Sequence, residues 1–247
     1  MSLSSNSIIH LTKTREALEG ILLDSFRVKY CKETIKWKNG KSVIHVPMVS
    51  FCDIPLSQIK DHISNYGCYG IGLTREWAIR NFLNPVLYIE PNSNLAHSYE
   101  QALLQVAEMK LPNDAKRETA RRLSDIARYT KNYEGMLQRK NEPSRMYRFS
   151  DEREWRYVPD VEYGCELFYM AKDFEEDGVK ETAANSIADL RLNFEPDDIK
   201  YIIIKDDSGI TEVINHLRNA KGANFTLSSI ERLTTRILTS EQIRTDI

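Results

Sequence analysis

A chain of 247 residues with 41% hydrophobic and 28% charged content carries enough apolar material for a sizeable buried core and has the balance of an ordinary soluble globular protein. Thirty-four lysines and arginines against 36 aspartates and glutamates leave a formal charge of −2, which removes any global electrostatic case for nucleic acid or an anionic membrane. The four cysteines, Cys31, Cys52, Cys68 and Cys165, lack a Cys-x-x-Cys or a His pair at ligand spacing and read as small buried hydrophobes in a reducing cytosol, with no metal expected. No stretch approaches the roughly 20 apolar residues of a membrane span, and Met1 to Ser7 lacks the basic and apolar regions of a leader, so a cytoplasmic location is expected.

In chain order, residues 8–11 read as a short strand, and Thr12 or Thr14 can cap a helix that carries Leu18, Ile21 and Leu22 on one face and stops near Asp24. Residues 42–51, rich in Val and Ile, form a second strand after an Asn39-Gly40 turn. A helix is expected over 53–66, with Pro55 in its first turn and Gly67 just past its end. Residues 69–73 are a strand interrupted by Gly70 and Gly72, Thr74 caps a short helix through Trp77, and 85–89 is a buried strand. Helices over 94–110 and 113–129, broken at Leu111-Pro112, form a helical hairpin inserted into a sheet, and the second carries Lys116, Arg117, Arg121, Arg122 and Arg128. Strands resume at 133–137 and 147–158, and 172–185 reads as an acidic loop. The last unit is a strand at 199–204, a helix at 208–219 and a strand at 230–238. This order gives an α+β class, a central mixed or antiparallel sheet with flanking helices, arranged as one domain over 1–247 with a helical insertion at about 94–130.

The run Asp151-Glu152-Arg153-Glu154-Trp155-Arg156-Tyr157 concentrates the most chemistry. As a strand it would put Trp155 and Tyr157 on one face and Glu152, Glu154 and Arg156 on the other. Two adjacent carboxylates can stabilise a developing oxocarbenium ion or act as acid and base, but with Arg148, Arg153 and Arg156 so close, the charges taken alone favour structural ion pairing. His10 and Thr12, where a strand meets a helix, can hold ribose hydroxyls or serve as a satisfied histidine and a cap. Ser50 and Asp53 stand at a strand end as ligand contacts or as ordinary polar and capping residues. Tyr66 and Tyr69 among Gly67, Gly70 and Gly72 can wall a flat ring or form a tight turn with core aromatics, and no Gly-x-Gly-x-x-Gly dinucleotide fingerprint occurs. Glu118 and Asp125 interleave the basic residues between Lys116 and Arg128, so that helix reads as a solvated face and nucleic acid is not the expected partner.

Read in order, Ile9-His10-Leu11-Thr12, Met48-Val49-Ser50-Phe51-Cys52-Asp53-Ile54-Pro55-Leu56-Ser57, Tyr69-Gly70-Ile71-Gly72-Leu73-Thr74-Arg75-Glu76-Trp77, Asn84-Pro85-Val86-Leu87-Tyr88-Ile89 and the Glu-x-Glu run resemble the AbiGi family. That resemblance, over most of the chain, implies an antitoxin or regulator of a bacterial abortive-infection system against phage, acting by protein contact on a cognate toxin. A second resemblance, carried by fewer residues, is to the ADP-ribosyltransferase fold, where a strand-borne His, a Ser on a later strand and a Glu-x-Glu surround NAD. It implies that Glu154 stabilises the oxocarbenium ion, Glu152 orients the acceptor, His10 with Thr12 fixes the ribose, Ser50 lies beside the cofactor, and Tyr69 or Tyr66 stacks on nicotinamide.

Overall fold

In the computed structural model, which describes residues 5–108, 113–137, 143–160, 163–221 and 226–246, the chain sorts into two units. One comprises Met1–Arg27, Val49–Asn84 and Arg191–Ile247, and the other Val28–Met48 and Pro85–Leu190. Both mix strands and helices, and the class is α+β, with a mixed sheet and flanking helices.

In the first unit, Ser7–Thr12 lies antiparallel to Tyr69–Thr74 through the full register from Ser7↔Thr74 to Thr12↔Tyr69. Ile199–Ile204 continues the sheet antiparallel to Tyr69–Thr74, and Ile237–Thr239 joins it in parallel. On the other side, Ile9 pairs with Cys52. Alternation divides the apolar residues between two faces. Ile9 and Ile203 pack with Ile59, Ile63 and Ile243, backed by Leu11 and Tyr201. The opposite face carries Phe26, Phe51, Trp77 and Phe194 in edge-on and tilted ring contacts 5.1–6.1 Å apart. Gly72 has a specific reason to be glycine: a Cβ there would come 2.1 Å from the Tyr201 ring. Gly67, at φ 124°, ends the helix Lys60–Tyr66 against the Thr12 carbonyl, where a Cβ would approach to 2.2 Å.

Thr14, rather than Thr12, caps Arg15–Asp24 by accepting from the Ala17 amide at 3.2 Å, and Thr74 caps Arg75–Arg80 as its position suggests. The helix expected over 53–66 is shorter: a 3-10 turn at Leu56–Gln58 precedes Lys60–Tyr66. Asp53 does not cap it, because its carboxylate takes the Ser5 amide at 2.9 Å and Arg75 at 2.6 Å. At the other end of the chain, Ile230 lies in a helix, Leu227–Thr234, and the last strand starts only at Ile237. Thr226 accepts from the Ser229 amide and starts this helix, so Ile230 and Leu233 are buried on its inner face.

The second unit is built on a hairpin of which the sequence reading gave the turn and the second strand but not the first. Lys29–Trp37 pairs with Gly40–Cys52 from Lys29↔Met48 to Trp37↔Gly40, and Tyr169–Met170 pairs on the other side of that strand. Trp37 donates from Nε1 to Ser42 at 2.9 Å beside the turn. Ile35, Trp37, Ile44, Val46 and Met48 form its core with Ile89, Ala96, Tyr99 and Ala127. Ala96 and Tyr99 come from Asn94–Glu108 and Ala127 from Asn113–Arg128, the two expected helices, which Tyr99 ties together by donating to the Leu123 carbonyl at 2.6 Å. The break at 111–112 lies outside the described residues. The segment read as a loop over 172–185 is helical at Ala171–Phe174 and Val179–Ser186, anchored by buried Phe174 and Ala183. Phe174 stacks on His45 at 4.0 Å, and burial depresses that imidazole's pKa.

Candidate functional site

The acidic run of the second unit is not one strand. Phe149–Glu152 forms a 3-10 turn, Arg153 takes a left-handed conformation at φ 44°, and only Glu154–Tyr157 is extended. Within that strand Glu154 and Arg156 share one face and Trp155 and Tyr157 the other, as the alternation suggests, and it is the charged face that is buried: Glu154 and Arg156 point inward at 5% and 0% exposure, while Trp155 and Tyr157 are half-buried. Charged side chains can occupy the interior only when paired, and these are. Arg156 meets Glu154 through Nε at 2.7 Å and Nη2 at 3.3 Å, reaches Glu33 at 2.9 Å, and donates from Nη1 to the Arg128 carbonyl at 2.9 Å. Lys131 binds Glu152 at 2.8 Å and Glu154 at 2.7 Å and lies 5.0 Å from the centre of the Phe149 ring. The Glu154 amide donates to Tyr88 at 2.9 Å.

Burial alone would push the Glu154 carboxyl upward, but Arg156 and Lys131 outweigh it and hold the group far below the usual carboxylate range. The same opposition leaves Lys131 firmly charged: burial pulls its ammonium down, and Glu154, Glu152 and Glu33 more than restore it. Burial is also the largest influence on Arg156, again overcome by Glu154 and Glu33. A carboxylate so held stays ionised near neutral pH, keeps its oxygens on two cations, and has little capacity to exchange a proton there.

Lys131 and Glu33 are the members of this cluster that sequence reasoning missed. Lys131 sits in Thr130–Asn132, a strand of three polar residues paired in parallel with Leu87–Ile89. It offers no apolar signal, yet Thr130 and Asn132 are buried. Asn132 earns its place by accepting from the Lys36 amide at 2.7 Å and donating to the Lys36 carbonyl at 3.1 Å, as a neighbouring strand would.

His10, Thr12, Ser50, Tyr66 and Tyr69 belong to the first unit. The His10 ring lies 5.3 Å from Phe26 and 5.6 Å from Phe51, with Nδ1 2.8 Å from the Ser50 carbonyl. Because a carbonyl only accepts, Nδ1 carries the proton. The Ile9↔Cys52 register sends the Ser50 side chain to the face of Ile9 and His10 to the opposite face. His10 and the Ser50 backbone therefore meet, while their side chains diverge. Thr12 and Tyr69 are cross-strand partners, and Tyr66 stacks on His62 at 6.0 Å in the helix Lys60–Tyr66. Tyr69 lines a cavity of about 400 Å³ with Arg15, Ile204, Lys205, Asp206, Ser208 and Glu212. Burial raises the Tyr69 phenol, while Lys205 and Arg15 pull it back.

The basic helix is laced with its own acids. Arg121 and Arg122 both bind Glu118, Arg121 also reaches Asp125 at 3.5 Å, and Arg128 binds Asp125 at 2.8 Å. The side chain of Arg117 lies outside the described residues. Among the described residues, no group of three or more His, Cys, Asp or Glu could hold a metal ion, and no helix is long and apolar enough to cross a membrane.

The sequence itself places the chain in a class defined by biological role, the abortive phage resistance proteins. A family model described as "Putative abortive phage resistance protein AbiGi, antitoxin" matches residues 24–205, and the chain belongs to the AbiGi family. It is 28% identical over 221 residues to a curated protein of Lactococcus lactis subsp. cremoris named "Abortive phage resistance protein AbiGi", across 82% of this chain and 89% of that one. No solved structure matches.

Proposed function

We propose that this chain is the antitoxin of an abortive-infection pair and acts in phage defence by binding its cognate toxin. Membership of the AbiGi family supports the defence role, and the family description supports the antitoxin role. The observation that carries binding over catalysis is the state of Glu154, 5% exposed and shared between Arg156 and Lys131, which makes it an internal strut. The test is co-expression with the protein encoded beside it. Growth is restored and the two proteins co-elute, and a folded Glu154→Gln variant retains both properties. Restored growth without a complex contradicts the proposal.

The transferase-like alternative requires Lys131 and Arg156 to release Glu154 so that its carboxylate can face the ribose of NAD, with Glu152 at the acceptor and His10, Thr12, Ser50 and Tyr66 or Tyr69 around the cofactor. Following NAD loss in the presence of the purified chain separates the two readings. The binding account expects none above a buffer control, and turnover abolished by Glu154→Gln would replace it.

A further inference from the structure

The first unit holds a polar cavity that neither the ion-pair cluster nor the antitoxin reading uses. It opens at the carboxyl end of Ile199–Ile204, where the chain turns into the helix Ile210–Lys221 and returns as the parallel strand Ile237–Thr239. Ile199–Ile204 has a parallel neighbour on one side and an antiparallel one on the other. In parallel α/β sheets the crevice outside the carboxyl ends of the strands receives ligands, and the Ile199–Ile204/Ile237–Thr239 pair shares that local strand–helix–strand arrangement.

The lining has the makings of an anion site with an apolar floor. Arg15 enters from the helix Arg15–Asp24, Lys205 follows the strand, Tyr69 and Ser208 bring hydroxyls, and Ile204 and Val213 supply the floor. At about 400 Å³, the space suits a small metabolite. Each cation meets a carboxylate of the same cavity, Arg15 with Glu212 and Lys205 with Asp206 at 3.5 Å, and Arg15 also reaches Glu19 of its own helix through Nε at 3.4 Å. These contacts are solvent-accessible, with side-chain exposures of 38% for Arg15, 58% for Glu212 and 66% for Lys205. Exposed ion pairs contribute little and exchange readily. Glu212 therefore acts as an internal stand-in for an external anion.

We propose that this cavity binds a phosphomonoester of about nucleoside monophosphate size, its phosphate displacing Glu212 from Arg15 and engaging Lys205, and its organic part resting on Tyr69, Ile204 and Val213. The proposal goes beyond the antitoxin reading and stands whether or not that reading does.

Calorimetric titration of the full chain with adenosine 5′-monophosphate, ribose 5-phosphate and inorganic phosphate tests it. Both esters bind, each more tightly than inorganic phosphate, and a tighter nucleotide identifies the base as part of what is recognised. Arg15→Gln and Lys205→Gln each weaken binding about tenfold, the loss expected for one charge-assisted contact. Glu212→Gln removes the cavity's own competitor for Arg15, leaving only the Glu19 contact on the helix, and tightens binding several-fold, which a merely structural role for Glu212 would not produce. Lys205 and Glu212 are exposed and Arg15 is half-buried, and unchanged melting temperatures establish that the variants are folded. Absence of heat with any ligand at millimolar concentration, affinities unmoved by Arg15→Gln and Lys205→Gln, no gain in Glu212→Gln, or inorganic phosphate binding as tightly as the esters would each overturn the proposal.

Discussion

Replacing Arg156 by Met removes the cation that holds the acidic cluster together. The side chain is fully buried and touches Glu154 twice, Glu33 once and the Arg128 carbonyl once. Methionine fills much of the same volume, so the loss is electrostatic. Within this cluster Glu33, Glu152 and Glu154 would then share Lys131 as their remaining cation, and Arg128 would lose a donor to its carbonyl. Removing one partner of a buried pair typically destabilises by about 3–5 kcal/mol. At about 2–4 °C per kcal/mol for a chain of this length, the melting temperature falls by about 6–20 °C. Circular dichroism melts and urea titrations read the change. Adding Glu154→Met to Arg156→Met recovers part of the loss, because the stranded carboxylate goes with its partner. An Arg156→Met protein within about 1 kcal/mol of the parent would refute the reasoning, since exposed pairs behave that way.

The cluster also sets an acid limit. Because the Glu154 pKa is lowered in the folded state, its contribution is fully present above the ordinary value of 4.5 and is lost as pH falls below it. The stability difference between the parent and Glu154→Gln is therefore flat above about pH 5 and shrinks steadily as the pH is taken below about 4.5, as urea midpoints will show; a difference that stays constant down to about pH 3 would contradict this. Gly72→Ala drives a methyl into the Tyr201 ring and lowers stability by about 1–3 kcal/mol, less in a Tyr201→Leu background. Asn132→Leu strands the Lys36 amide and carbonyl and lowers stability by about 1–3 kcal/mol, measured by the same titrations. Phe82, at φ 59° and 86% exposed, gains little from its ring, so Phe82→Gly is neutral or raises the midpoint by up to about 1 kcal/mol.

Elements with strong local chemistry were legible in the sequence. Thr74 and Gly67 mark helix ends in the letters and in the structure, and the two long helices of the second unit follow their periodicity. What was not legible depended on distant partners. Lys29–Trp37 mixes Lys29, Lys32 and Lys36 with residues as different as Cys31, Glu33 and Ile35 without a clean apolar–polar alternation, and its strand character comes from pairing with Gly40–Cys52. The glycines at 70 and 72 suggested room for a ligand, and Leu11 and Tyr201 fill it from neighbouring strands. The Glu-x-Glu alternation put Glu154 and Arg156 on one face, and the nearby arginines suggested ion pairing, but the letters alone did not say that this face is buried. Lys131, remote in sequence, makes their burial tolerable, and no local pattern announces it.

The central claim is that this chain acts by occupying its partner. Titrating the purified chain into the purified toxin while following the toxin's activity tests it most directly. The account expects inhibition that grows linearly and is complete at a fixed stoichiometric ratio, unchanged by added NAD and retained by folded Glu154→Gln. Complete inhibition by a small fraction of an equivalent, dependent on NAD and lost in that variant, would contradict it.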